Sequence, residues 1–391
     1  MSSTPYDVRA LLSAIDENRK NLGRDKGEAR RECLAAARKL CYALETPVES
    51  ILRINWAELS HHAALRTAVD LKLFEKLDSD DCSPKSSSEL AEMTNSDPVL
   101  LTMGSVYEAG PDSYVSTPVS KAYIQPVYRD AIPFCMDMAI PALYNLYQFL
   151  AKTQYKNPTN PVDGPFQYGH GIQDHFFGHL QKHPERFTQF SNHMAGYRTG
   201  RASWMDEDFY PVIENLVKGA STDEDAIFLV DVGGSKGHDL KELKKKHPSL
   251  PGRLVLQDLA SVLAEATELD QSIMKMEHDF FTPQPVQGAR AYYLHSCLHD
   301  WPDAKAKEIL ANLKPGMTKG YSKLLINEYV IPDMDAHWVS TGLDMLMMAF
   351  LSSSERTEEH WRMLLESEGF KIAKIWTKEP GTESLIEAEL V

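Results

Sequence analysis

From Glu224 onward, short β-rich runs alternate with helical stretches, and this alternation restricts the fold more than any other feature of the chain. The runs are 226–232, 253–256, 289–294 and 323–330, with helices expected between them. Strands that follow one another through helices must lie parallel, because a parallel pair needs a crossover long enough to hold a helix. The last two runs, 370–377 and 383–390, are joined only by Lys378-Glu379-Pro380-Gly381-Thr382. So short a link cannot cross over, and these strands pair antiparallel. The expected class is α/β, a doubly wound, Rossmann-like sheet with an antiparallel C-terminal strand.

The first part of the chain reads differently. Residues 6–45 carry charged helical patterning that ends at Thr46-Pro47, apolar residues recur at helical spacing over 51–77, and Ser86 to Glu89 is a capped helix start. Residues 107–115, broken by Ala109-Gly110-Pro111-Asp112, form a small hairpin. Residues 1–120 are therefore expected to be a helical, winged-helix-like domain, and its surplus apolar periodicity points to a homodimer. The remainder, 121–391, divides into a helical substrate-pocket segment, 121–220, and the Rossmann-like core, 221–391. The loop 157–165, rich in Pro and Asn, is expected on the surface beside a cleft.

With Lys+Arg 41 against Asp+Glu 56, the net charge of -15 argues against nucleic-acid and anionic-membrane partners. The apolar run 345–351 is too short to span a bilayer, and the N-terminus shows no signal pattern, so a cytoplasmic protein is expected. Five scattered cysteines, Cys33, Cys41, Cys82, Cys135 and Cys297, read as free thiols.

The sharpest local motif is Asp231-Val232-Gly233-Gly234-Ser235-Lys236-Gly237, a buried strand running into glycines and then a helix. Missing side chains there let a ligand reach the backbone. The spacing matches neither a dinucleotide fingerprint nor a Walker loop. Asp231 would repel phosphate and welcome an ammonium or hydroxyl, which favours a nucleoside without pyrophosphate over a plain tight turn. Asp258, ending the next strand, suits the two hydroxyls of a ribose, or else caps a helix. At the end of the run 289–294, His295, Cys297 and His299 alternate onto one face. A zinc site lacks a fourth ligand, so no metal is expected, and a histidine there serves as general base or caps the following helix. His175, His179 and His183 share one helical face and read as solvated polar residues. Met345 and Met348 are either core or a flexible wall for a flat aromatic ligand.

These motifs, with His278-Asp279-Phe280-Phe281, Leu298-His299-Asp300-Trp301-Pro302-Asp303, Ile326-Asn327-Glu328, Glu355-Arg356-Thr357 and Glu383-Ser384-Leu385-Ile386-Glu387-Ala388, resemble the class I S-adenosylmethionine-dependent O-methyltransferases of plant phenolic and fungal polyketide metabolism. The resemblance implies S-adenosyl-L-methionine held by Asp231, Gly233, Gly234, Asp258, Asp279, Phe280 and His295. It implies His299 as base flanked by Glu328 and Glu355, and a small phenolic substrate touched by Asp300, Met194, Met345 and Met348. Rivals are a pericyclase or dehydratase that binds the same cofactor, and an inactive scaffolding homologue. Two departures stand out: Ser235 replaces a glycine of the family loop, and a helix between Asp97-Pro98 and the wing is missing near Thr102.

Overall fold

The computed structural model describes residues 7–24, 27–80, 83–97 and 106–391. It divides into two compact units, 1–132 and 133–391, a later break than the expected one after residue 120. The segment 98–105, where a helix was expected to be missing, and Cys82 lie outside the described residues.

The first unit holds helices Val8–Asn18, Glu28–Leu44, Pro47–Leu52, Leu59–Asp70, Leu73–Leu77 and Ser87–Thr94, then β1 (Tyr107–Gly110) and β2 (Ser113–Val115). Thr46-Pro47 ends one helix and begins the next: Thr46 Oγ1 accepts from Glu49 N at 3.3 Å while Glu49 Oε2 accepts from Thr46 N at 2.8 Å. Proline suits this first helical position because its missing N–H has no partner to lose. Ser86 and Glu89 repeat the same reciprocal cap. β1 and β2 pair antiparallel, as the turn residues between them require.

The second unit is built on a seven-stranded sheet. Its strands are β3 (Ile227–Val232), β4 (Arg253–Asp258), β5 (Ile273–Glu277), β6 (Ala291–His295) and β7 (Lys323–Glu328), followed, after the short pair β8 (Val330–Ile331) and β9 (Arg356–Thr357), by β10 (Phe370–Thr377) and β11 (Ser384–Leu390). The order is β10-β11-β7-β6-β3-β4-β5, with β3 to β7 parallel and β11 antiparallel between β7 and β10. β5 was not among the apolar runs. It is an edge strand whose only buried residue is Ile273, and Met274, Lys275 and Glu277 face solvent, as an unpaired edge demands.

Period-two alternation sorts the central strands onto two cores. Val230, Val232, Val255, Leu294 and Ile326 pack against Ile309, Trp361 and Leu365 on one face. Leu229, Leu254, Leu256, Tyr293 and Leu325 pack against Leu240 and Leu243 on the other. Each such side chain, fully buried, contributes about 1.5–3 kcal/mol. The sheet is therefore a rigid base, and the carboxyl ends of β3, β4, β6 and β7 converge on one edge, where the loops carry the polar residues. Among the described residues no helix is long and apolar enough to cross a membrane.

Candidate active site

At the end of β3 the chain turns sharply. Gly233 and Gly237 have φ of +74° and +73°, and a Cβ on Gly234 would lie 2.4 Å from the Asp231 carboxylate. Ser235 also sits at φ +53°, which explains the glycine common at this position: a left-handed residue with a side chain carries strain of about 1–2 kcal/mol. Gly233 N and Gly234 N donate to Gln257 O at 2.8 and 3.1 Å, tying the turn to β4. Asp231 is fully buried, and neither carboxylate oxygen has a hydrogen-bond partner among the described residues. Burial pushes its carboxyl up to about 7, against the pull of His295 and Arg198. A buried carboxylate without a donor is costly, so this turn is built to receive one.

Asp258 closes β4 with Oδ2 accepting from Ser235 N and Oδ1 from Leu259 N, both at 2.8 Å. Each oxygen keeps a second lone pair for a hydroxyl. Past β5, Asp279 Oδ1 accepts from Phe281 N at 3.0 Å and orders the loop that presents Phe280. The Phe280 ring lies 3.5 Å from where a Gly233 Cβ would project, and it meets Trp301 edge-on at 6.2 Å. The glycine turn, Asp258 and Phe280 thus stand at three neighbouring strand ends.

His295 ends β6 and His299 follows it. His295 Nδ1 lies 2.6 Å from Asp239 Oδ2 and Nε2 3.3 Å from Glu383 Oε1. Arg198 pairs with the other oxygen of Asp239. His299 Nδ1 lies 2.7 Å from Glu355 Oε1 and 3.5 Å from Glu328 Oε2, while Nε2 stands 3.4 Å from Asp300 Oδ1, beyond a good hydrogen bond. Burial alone would lower the His299 ring, but Glu328, Glu355 and Asp300 outweigh it and hold it well above the usual imidazole range. Burial raises Glu328 and brings Asp300 up to about 7. The cluster therefore titrates as a unit that holds extra protons near neutrality.

The two glutamates do different work. Glu328 Oε1 accepts from the backbone N of Cys297, Leu298 and His299 at 2.9, 2.8 and 3.3 Å, so it caps the turn that carries His299. Glu355 is the group that orients the ring. Arg356 anchors the same turn from behind, donating to Leu298 O at 3.0 Å and Trp301 O at 2.8 Å. His299, Glu328 and Glu355 also offer three atoms close enough to hold an ion. At 2.7 Å, however, the His299–Glu355 contact is a direct hydrogen bond.

The O-methyltransferase domain family matches residues 159–371. Methyltransferase cfoC of Aspergillus candidus is 37% identical, the match covering 93% of this chain and 92% of that protein. The chain belongs to the class I S-adenosylmethionine-dependent O-methyltransferases. O-methyltransferase mpaG of Penicillium roqueforti is 35% identical with 98% of both chains covered. Among solved structures, LepI in complex with S-adenosylmethionine aligns with TM-score 0.87 and 31% identity over 98% of this chain and 99% of that one. OxaC in complex with sinefungin and meleagrin aligns with TM-score 0.83 and 25% identity over the same shares. The cofactor of this methyltransferase is S-adenosyl-L-methionine, and the unpartnered Asp231 and the glycine cradle fit it.

Other expected residues are less tightly gathered. His295, Cys297 and His299 do not share a ligand set: the Cys297 thiol turns inward, 3.6 Å from Val232 O, while each imidazole has its own carboxylates. Met194 is half-buried on helix Pro184–Tyr197, next to His193, whose ring lies 5.7 Å from Phe134. Met348 is half-buried, Met345 is 44% exposed, and between them Met347 enters an aromatic core with Phe134, Phe176 and Phe350. The three histidines at 175, 179 and 183 do not share one solvated face: His175 caps the helix Phe176–Lys182 and stacks on Trp301 at 5.0 Å. Arg198 and Asp239 were given no role in the sequence, and Glu383 stood there only inside a motif, since no spacing rule links positions that meet only through the fold. Cys33, Cys41, Cys135 and Cys297 are free thiols.

Proposed function

We propose that this methyltransferase methylates a phenolic hydroxyl of a small, polyketide-derived secondary metabolite, with His299 as general base. The observation that carries the proposal is the ring held through Nδ1 by Glu355 at 2.7 Å while Nε2, 3.4 Å from Asp300 Oδ1, has no closer partner among the described residues. Bound S-adenosylmethionine supplies an activated methyl group on a cationic sulfur. The phenol proton passes to His299 Nε2, Nδ1 keeps its hydrogen on Glu355, and Glu328 and Glu355 stabilise the imidazolium. A phenol has a pKa of about 10, like tyrosine, so a raised imidazole is a competent acceptor for its proton. Asp231, Gly233 and Gly234 would hold the methionine part, Asp258 the ribose, Asp279 and Phe280 the adenine, with His295 fixing the cradle. Asp300, Met194, Met345 and Met348 would contact the acceptor.

A homodimer formed through the first unit and a cytoplasmic location belong to the same reading. Helix Pro47–Leu52 and the following turn Arg53–Glu58 bury no residue, and Leu44, Val48, Ile51, Ile54 and Trp56 are 51–69% exposed. So continuous an apolar stripe calls for a cover. Light scattering of the full chain should give twice the 44.1 kDa monomer, and a Trp56→Glu, Ile51→Glu pair should halve it.

The test of function is a panel of phenols incubated with methyl-labelled S-adenosylmethionine, reading label in the product. A second reading has one observation behind it: a solved structure described as a pericyclic reaction enzyme aligns with TM-score 0.87 and 29% identity. Conversion of an acceptor without loss of S-adenosylmethionine would establish that reading instead.

A further inference from the structure

The segment from Glu383 to Ala388 stood out in the sequence, yet the proposed reaction gives Glu383 no role. Ser384 opens β11 and pairs with Glu328 at the end of β7, which sets Glu383 just outside the sheet on the same edge as His299. Its side chain is 10% exposed. One oxygen, Oε1, accepts from Ser296 Oγ at 2.9 Å and lies 3.3 Å from His295 Nε2. His295 faces Asp239 on its other nitrogen, Nδ1, at 2.6 Å. Ser296 has φ +49° and begins the turn whose next three backbone N–H groups Glu328 holds. A residue in that conformation needs to be held there by its surroundings.

Resting on the methyltransferase reading, we propose that Glu383 is a positioning residue that couples the two halves of the site: through His295 it fixes the cofactor cradle, and through Ser296 it clamps the turn that carries the base. Burial would raise its carboxyl, but His295, Arg201 and Ser296 outweigh it and bring it down to about 2, so it is a standing anion. Its own loop is braced as well. Tyr329 Oη donates to Gly381 O at 3.4 Å, Arg201 donates to Tyr329, and Gly381, at φ +73°, leaves no room for a Cβ against His337.

The two arms separate by substitution. Glu383→Gln keeps an oxygen for Ser296 and removes the charge facing His295, whereas Ser296→Ala removes only the clamp. Calorimetry with S-adenosylhomocysteine reads the first arm. Ring nitrogen NMR signals of His295 and His299, assigned with His295→Gln and His299→Gln, read both. Glu383→Gln should weaken binding about tenfold, the loss of one charged hydrogen bond, and move the His295 signal. Ser296→Ala should move the His299 signal, and Glu383→Ala should do both. Should Glu383→Ala not fold, the two milder variants decide. Parental affinity and unmoved ring signals in Glu383→Gln and Ser296→Ala, even with a lower melting temperature, would reduce Glu383 to a structural brace and overturn the proposal. Failure of the parent protein to bind S-adenosylhomocysteine would instead strike the cofactor reading, while the His299 signal in Ser296→Ala would still judge the clamp.

Discussion

His295 and His299 stand four residues apart on one sheet edge, the first half-buried and the second buried, both between carboxylates, and they are built for opposite tasks. The partner on Nε2 of His295 is Glu383, a carboxyl brought down to about 2 and fixed by Ser296. The carboxyl nearest Nε2 of His299 is Asp300, 3.4 Å away and raised by burial to about 7. The first histidine is held between two carboxylates, Asp239 and Glu383, that fix both of its nitrogens. The second sits among groups whose protons are mobile near neutrality, with Glu355 fixing its far nitrogen. A histidine becomes a base through the proton affinity and geometry of what surrounds it.

The strongest challenge to this contrast is substitution of each ring in turn. His299→Gln should leave S-adenosylhomocysteine binding close to parental and lower methyl transfer by roughly 10² to 10⁴, the usual contribution of a general base. His295→Gln should act chiefly on cofactor affinity. Equal losses of rate in both variants would erase the distinction. Next in size is Asp258→Ala, which removes two hydroxyl acceptors and frees Ser235 N and Leu259 N. At about 1 kcal/mol or more for each contact, calorimetry should show at least a tenfold weaker site.

The pH profile sharpens the comparison further. Because Glu328, Glu355 and Asp300 hold His299 above the ordinary imidazole value, the fraction able to accept a proton grows as pH rises through its raised pKa. Methyl transfer to a phenol should therefore increase across an alkaline limb centred above about 6.5. Asp300→Asn removes one of the carboxylates that raise the ring, so the limb should move to lower pH. A limb that does not respond to Asp300→Asn would remove Asp300 from the cluster. The smallest expected effect is at Ser235: Ser235→Gly relieves a left-handed serine and should stabilise the fold by about 1 kcal/mol in urea unfolding.

Much of this site was legible because its residues lie at the ends of strands. Asp231, Asp258, His299 and Glu328 each close or follow a short apolar run, and period-two alternation plus the need for crossover helices puts all such ends on one edge. β5 was harder to see because an edge strand with Lys275 and Glu277 exposed has no apolar run to announce it. The division of labour between Glu328 and Glu355 was also hidden. Both are buried acids near one ring, and only the hydrogen bonds show that one caps the turn and the other orients the imidazole.

Local chemistry along the chain was enough for the alternation of the apolar strands with helices, the reversed C-terminal pair, the glycine turn and the identity of the acidic and imidazole groups, since each depends on neighbours in sequence. Which histidine faces a fixed anion and which a labile one was settled only when Glu383, far along the chain, was folded back against Ser296 and His295. Proton affinities depend on burial and on charges within a few ångströms, and those distances exist only in the tertiary structure.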